Sequence, residues 1–130
     1  MKENKVLELL NKKDCTIAIV GATNDSSKYG NIIYKDLKGK NIKVYGINPK
    51  ATTIDGDKAY HTLDDLGFKP DIIDMVIPPK LGLALIQDAV SKGYDNFWLQ
   101  PGAESDEIIQ FLEDKGKNYL AYSCVMVESR

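Results

Sequence analysis

Thr16-Ile17-Ala18-Ile19-Val20-Gly21 and the stretch that follows it, Ala22-Thr23-Asn24-Asp25-Ser26-Ser27-Lys28-Tyr29-Gly30, decide the fold. Residues 16–20 are an almost continuous apolar, β-branched run, the pattern of a strand covered on both faces in a parallel sheet. Gly21 stops it. In residues 28–38, Gly30, Ile33, Tyr34 and Leu37 fall on one face at helical spacing, and Gly39 stands where a helix takes a C′ glycine. A buried strand, a turn of small residues and an amphipathic helix in succession read as the opening of a β-α-β unit.

The alternation continues in both directions. Upstream, Val6, Leu9 and Leu10 predict a short helix over 4–12. Downstream, residues 42–47 predict a second strand, ended by Asn48-Pro49. Residues 50–60 read as a loop or irregular extended segment, and 62–66 as one helical turn capped by Thr62. Residues 71–77 predict a third strand, stopped by Pro78-Pro79, because proline has no N–H for the ladder. Pro79 suits the first position of a helix over 79–92, with Leu83, Ile86 and Val90 on one stripe and Gly93 after its end. Residues 95–99 predict a fourth strand that keeps Trp98 in the core. Residues 104–115 predict a helix with Glu104, Asp106 and Glu107 in its first turn, apolar along Ile108, Phe111 and Leu112, and stopped by Gly116. Residues 119–122 predict a fifth strand.

Strands alternating with helices imply an α/β domain over 1–130: a doubly wound, parallel, five-stranded sheet with helices on both faces. The strand order expected is 3-2-1-4-5. A ligand then lies outside the carboxyl ends of the strands, beside the first, where the order reverses. The loops at that edge are 21–28, 48–50, 77–80, 100–103 and 123–124.

Composition narrows the function. The chain has 130 residues, 43% of them hydrophobic and 28% charged, with a net charge of −2. That balance suits one globular core and argues against a broad nucleic-acid footprint. No apolar run reaches the ~20 residues that cross a bilayer. The first fifteen residues lack the apolar core of a secretory signal, so a cytoplasmic location and no membrane partner are expected. Two cysteines, Cys15 and Cys124, are too few for a disulfide framework and show no zinc spacing. The single histidine, His61, stands near nothing that reads as a nucleophile elbow. No metal site and no catalytic residue are expected.

The carboxyl-edge loops carry the candidate chemistry. Around Gly21 small residues let a ligand approach the backbone, and the helix beginning near Lys28 aims free N–H groups at that spot, favouring a phosphate. Ser26 and Ser27 either cap that helix or donate to the phosphate, and Lys28 adds charge. The dinucleotide pattern G-x-G-x-x-G is missing, and Asn48-Pro49-Lys50 stands where a carboxylate would hold a ribose diol, which disfavours NAD. Lys50 either suits a phosphorylated ribose or is an ordinary solvated lysine. Ile77-Pro78-Pro79 forms a rigid, donor-poor wall suited to adenine, or simply ends the strand. Gln100 and Gly102 sit at the mouth after the fourth strand. Cys124 lies at the same edge and Cys15 at the opposite one.

Taken in order, residues 17–37 (IAIVGATNDSSKYGNIIYKDL), 44–49 (VYGINP), the Ile54-to-Tyr60 stretch, TLDDL, 74–79 (DMVIPP), 97–105 (FWLQPGAES) and 122–126 (YSCVM) resemble the small stand-alone CoA-binding proteins. They also resemble the N-terminal CoA-binding domain of the succinyl-CoA synthetase alpha subunit. The resemblance implies a Rossmann-like domain holding coenzyme A. It would place phosphates on Gly21, Ala22, Thr23, Ser27 and Lys28, flank the ribose-phosphate with Asn48, Pro49 and Lys50, and line the adenine with Ile77, Pro78 and Pro79. The chain departs from the family at Pro101, where a glycine is common after the late glutamine, and at Ser123, where Arg or Lys often precedes the late cysteine.

The expected function is therefore binding of coenzyme A or an acyl-CoA without catalysis by this chain. The alternatives are a small NADP-dependent oxidoreductase and an accessory subunit of an acyl-CoA-handling enzyme. A homodimer stays open. Cys124 is either an inert thiol or one that pairs with the CoA thiol.

Overall fold

The computed structural model describes residues 4–129. The chain runs α1 (Lys5–Leu10), β1 (Thr16–Val20), α2 (Tyr29–Gly39), β2 (Lys43–Ile47), β3 (Thr53–Ile54), β4 (Asp57–Tyr60), a 3-10 turn (Leu63–Leu66), β5 (Ile72–Met75), α3 (Pro79–Ser91), β6 (Asn96–Leu99), α4 (Asp106–Asp114), β7 (Asn118–Ala121) and α5 (Val125–Glu128). These form a doubly wound α/β domain of Rossmann-like architecture, with a seven-stranded sheet in the order β3-β4-β2-β1-β5-β6-β7. All strand pairs are parallel except β3 with β4.

β1 is central. Ile17 lies opposite Val44 of β2 on one side and Ile72 of β5 on the other. Its residues therefore feed two cores. Ile17 and Ile19 pack with Ile33, Tyr34 and Leu37 of α2, Val6 of α1 and Val125 of α5. Ala18 and Val20 face the opposite layer, where Ile86 and Ala89 of α3 and Ile108 and Leu112 of α4 cover Ile73, Met75, Phe97 and Leu99. Coverage on both faces is why β1 reads as an almost continuous apolar run and why every residue of β5, Asp74 included, is buried. Each fully buried large apolar side chain contributes about 1.5–3 kcal/mol of transfer free energy.

Capping follows the local sequence. The Asn4 side chain accepts from Val6 and Leu7 N–H, and the Ser105 hydroxyl accepts from Ile108 N–H. Pro79 begins α3, as its fixed φ allows. The left-handed residue closing α2 is Asn41, at φ 64°, not Gly39, which is still helical.

Two expectations need correction. The segment 50–60 is not a loop: it folds into the β3–β4 hairpin, and β4 pairs in parallel with β2. The strand at 71–77, expected outside the second, instead lies beside β1 as β5. β4 occupies the outer place assigned to it. Leaving out the short β3, the order by chain position is 3-2-1-4-5-6, so the doubly wound pattern holds with six strands where five were expected. β5, buried throughout, takes a central place, whereas β4, with exposed Lys58, tolerates one near the edge.

Candidate functional site

The site grows out of one close approach. Gly21 follows β1 at φ 101°, a conformation that costs glycine little. A Cβ there would stand 2.7 Å from the Val76 carbonyl oxygen and 2.9 Å from Ile77 Cγ2. A Cβ on Gly30 would collide with the Gly21 carbonyl oxygen. Two glycines thus let the first turn of α2 sit directly on the end of β1. Lys28 at its N-cap position makes no side-chain capping bond. The N-terminus of an eleven-residue helix is left without a side-chain cap and carries its partial positive charge to the carboxyl edge.

A cavity of about 550 Å³ opens there, between α2 and the loops after β5 and β6. That is within the range of small-molecule sites. Of the residues singled out in the sequence, Gly21, Ser27, Lys28, Ile77, Pro78, Gln100 and Gly102 line it. Sequence reasoning missed Tyr29, Gly30, Ile33, Val76, Pro101 and Ala103 as wall residues. Ile33 read as core, and Ala103 comes into place only through the loop 100–103. Cys124 also lines the cavity.

The remaining predicted residues sit outside that wall. Ala22 is fully buried, and its carbonyl accepts from Asn48 Nδ2 at 2.9 Å. Asn48 Oδ1 accepts from the Lys50 and Ala51 N–H groups, so this side chain ties two carboxyl-edge loops together. The Thr23 carbonyl accepts from Asn31 Nδ2 at 3.0 Å. Ser26, Pro49 and Lys50 are exposed, and Pro79 serves as the first residue of α3.

Several polar groups that line the cavity are already engaged. The Ser27 hydroxyl donates to Asp25 Oδ1 at 2.6 Å, and the Ser27 N–H does so at 3.0 Å. These bonds hold the Asp25 carboxyl below its usual range. Gly102 N–H donates to Glu104 Oε1 at 3.0 Å. Gln100 is 4% exposed; its Oε1 accepts from Val125 N–H at 2.9 Å, and its Nε2 donates to Cys124 Sγ at 3.4 Å. Lys28 is exposed and forms no ion pair among the described residues.

Beneath this floor lies a carboxyl that no motif predicted. Asp74 of β5 stands in register between Ile19 and Trp98. Two residues further along come Gly21, Val76 and Gln100, at the cavity. Asp74 is fully buried, and both of its oxygens lack a hydrogen-bond partner among the described residues. Burial pushes its carboxyl well above the usual carboxylate range.

Trp98 is fully buried, as expected, with its indole N–H donating to the Ser123 carbonyl at 2.8 Å. Cys15 lies before β1, away from the cavity, and burial pushes its thiol up to about 11. His61 stands just past the end of β4 and therefore at the carboxyl edge. It lines a separate hollow of about 170 Å³ with Asp64, Asp88 and Lys92. Among the described residues no cluster suited to a metal ion occurs, and no helix is long and apolar enough to cross a membrane.

The family model for the CoA binding domain matches residues 15–130. The chain belongs to that family. A conserved hypothetical protein from Pyrococcus furiosus is 45% identical in its solved structure, with a TM-score of 0.85 over 88% of this chain and 99% of that one. An ADP-forming acetate-CoA ligase from Methanocaldococcus jannaschii is 35% identical over 60% of this chain and 11% of its own length. The alpha subunit of ADP-forming acetate-CoA ligase II from Pyrococcus furiosus is 25% identical over 84% of this chain and 26% of its own length. The CoA-binding domain described here thus spans about a quarter or less of those two ligases.

Proposed function

We propose that this domain holds coenzyme A or an acyl-CoA in the cavity beside β1, with its pyrophosphate on the first turn of α2, and carries out no bond-making step unaided. The observation that carries the reading is the N-terminus of α2. It lacks a side-chain cap, packs on Gly21, and borders a cavity of about 550 Å³ in a chain matched by the CoA binding domain family. Backbone N–H groups and the helix dipole supply the anion site, and Lys28 adds a mobile cation at its edge. Ile77 and Pro78 offer an apolar, donor-poor surface for adenine, while Asn48, Pro49 and Lys50 flank the ribose-phosphate side. Among the described residues the cavity wall holds no pair of acid and base groups at which a proton could be passed.

The two ligase relatives favour a second role. Chains several times longer include a stretch like this one, so the domain would serve as the CoA-holding part of an acyl-CoA ligase whose remaining parts come from elsewhere. Calorimetry with CoA, acetyl-CoA, NADP, NAD and ATP separates the readings. Saturable binding of the CoA species at least tenfold tighter than NADP is expected. A preference for NADP, with hydride transfer to a small carbonyl compound, would support a small oxidoreductase instead.

A further inference from the structure

Resting on the CoA reading, we infer that Asn31 and Asn48 are positioning residues of the anion site. They hold two successive peptide units of the loop after β1 so that the N–H groups of Thr23 and Asn24 face the ligand's pyrophosphate. Asn31 lies in the first turn of α2 and is 4% exposed, yet its side-chain amide reaches back along the chain to donate to the Thr23 carbonyl at 3.0 Å. Asn48, just past β2, donates to the Ala22 carbonyl at 2.9 Å. Its own oxygen accepts from the Lys50 and Ala51 N–H groups, which keeps the donating end from swinging away. Side chains from two separate elements thus bind consecutive carbonyls of one loop.

The consequence follows from the peptide plane. In a trans peptide the C=O and the N–H that follows it point in opposite directions. Binding of the Ala22 carbonyl therefore turns the Thr23 N–H away from Asn48, and binding of the Thr23 carbonyl turns the Asn24 N–H away from Asn31. Neither N–H has an acceptor among the described residues, and nor do those of Ser26, Tyr29 and Gly30. The Asp25 and Ser27 N–H groups, by contrast, are taken by the Thr23 hydroxyl and the Asp25 carboxylate. Free backbone donors beside occupied carbonyls are what attracts an anion. A loop able to turn either carbonyl outward would instead set an oxygen against the phosphates.

A third asparagine braces the same loop. Asn24 Nδ2 donates to the Thr53 carbonyl at 2.8 Å, and its Oδ1 accepts from the Asp55 N–H at 3.0 Å. The β3–β4 hairpin that it grips is tied back to α2, where Lys38 pairs with Asp55 and Asp57 and the Tyr34 hydroxyl donates to Asp57. The hairpin thereby fixes the outer side of the loop, while Asn31 and Asn48 set the direction of its peptides.

The experiment uses the whole chain. Calorimetry first establishes that the parent binds CoA. Backbone amides of the labelled parent, Asn31→Leu and Asn48→Ala are then followed up to saturation with CoA. Leucine keeps the size of Asn31 and removes its donor. Both variants should bind CoA at least roughly tenfold more weakly. At saturation the effects should separate: the Asn24 amide loses its CoA-dependent shift in Asn31→Leu, the Thr23 amide loses its own in Asn48→Ala, and Ile77 keeps its shift in both. A merely structural role would move all three together. Should Asn31→Leu fail to fold, Asn48→Ala at its half-buried position carries the test through the Thr23 amide. Parent-like affinity in the variants, a uniform loss over Thr23, Asn24 and Ile77, or Thr23 and Asn24 amides unmoved by CoA in the parent would overturn the inference and leave the binding reading standing. Absence of CoA binding by the parent would overturn both.

Discussion

Gly30 stands so close to Gly21 that a methyl group on its α-carbon would overlap the Gly21 carbonyl oxygen. This contact holds the start of α2 against the end of β1, and the anion site depends on it. In an open helix, glycine to alanine is favourable, because the unfolded chain loses freedom. At Gly30 the backbone clash reverses the sign. Gly30→Ala is expected to destabilise by about 1–3 kcal/mol and to abolish CoA binding. Gly39, in the same helix with nothing near its missing Cβ, is the control: Gly39→Ala should raise stability by about 0.4–1 kcal/mol. Urea denaturation of both variants checks the pair of signs.

Asp74 makes stability depend on pH in an unusual direction. Most carboxylates in folded proteins are stabilised as anions. This one is buried without a partner, and its folded pKa lies above the ordinary value of 3.8. Below pH 3.8 both states carry the proton and Asp74 adds no pH dependence. As pH rises past that value the unfolded chain releases the proton while the folded chain keeps it, so stability falls until the folded pKa is passed. Asp74→Asn removes that slope. Its stability relative to the parent should grow from pH 4 to pH 7, reaching about 1–3 kcal/mol, and converge with the parent at acid pH. Equal pH profiles for the two proteins would mean that Asp74 has a partner in solution.

Gln100 connects the cavity to the end of the chain. Both ends of its amide are used, on Val125 N–H and Cys124 Sγ. Gln100→Leu leaves the buried Val125 N–H without an acceptor, at a cost of about 1–3 kcal/mol. Hydrogen exchange should locate the loss of protection at 124–129, and Cys124 should change its alkylation rate while Cys15 does not.

Lys28 is exposed at the cavity rim and forms no ion pair among the described residues. Lys28→Ala is expected to weaken CoA binding by about 1–3 kcal/mol, with no change in thermal midpoint of the free protein. The deficit should shrink as salt is added, because an exposed charge is screened. Calorimetry at low and high ionic strength reads both effects.

The fold was legible wherever burial is two-sided. TIAIV shows its strand in a nearly continuous apolar run and DIIDM in Ile72, Ile73 and Met75 despite its two aspartates, and the helices over 28–38, 79–92 and 104–115 show their stripes within a residue or two of the observed bounds. The hairpin at 53–60 was not, because its strands are short and largely polar. Its turn was nevertheless written in the chain. Asp55 and Gly56, at φ 50° and 80°, form the two-residue connection that Asp-Gly favours. Counting that strand would have placed β5 beside β1. At the site, Gly21, Lys28, Ile77 and Pro78 follow directly from strand ends and turn chemistry. Ile33, Ala103 and Asp74 do not, since their positions depend on which helix covers which strand. Asn48 shows a role that its place at a strand end did not reveal: its side chain bonds two loops to each other.

The most direct test of the account is a titration of isotope-labelled protein with CoA, followed by backbone amide resonances. The account predicts that Tyr29 and Gly30 amides shift most, together with the loops at 76–78 and 100–103, and that Gly116 to Tyr122 along the outer edge of β7 stays unmoved. Shifts centred on that outer edge, with the first turn of α2 silent, would contradict it.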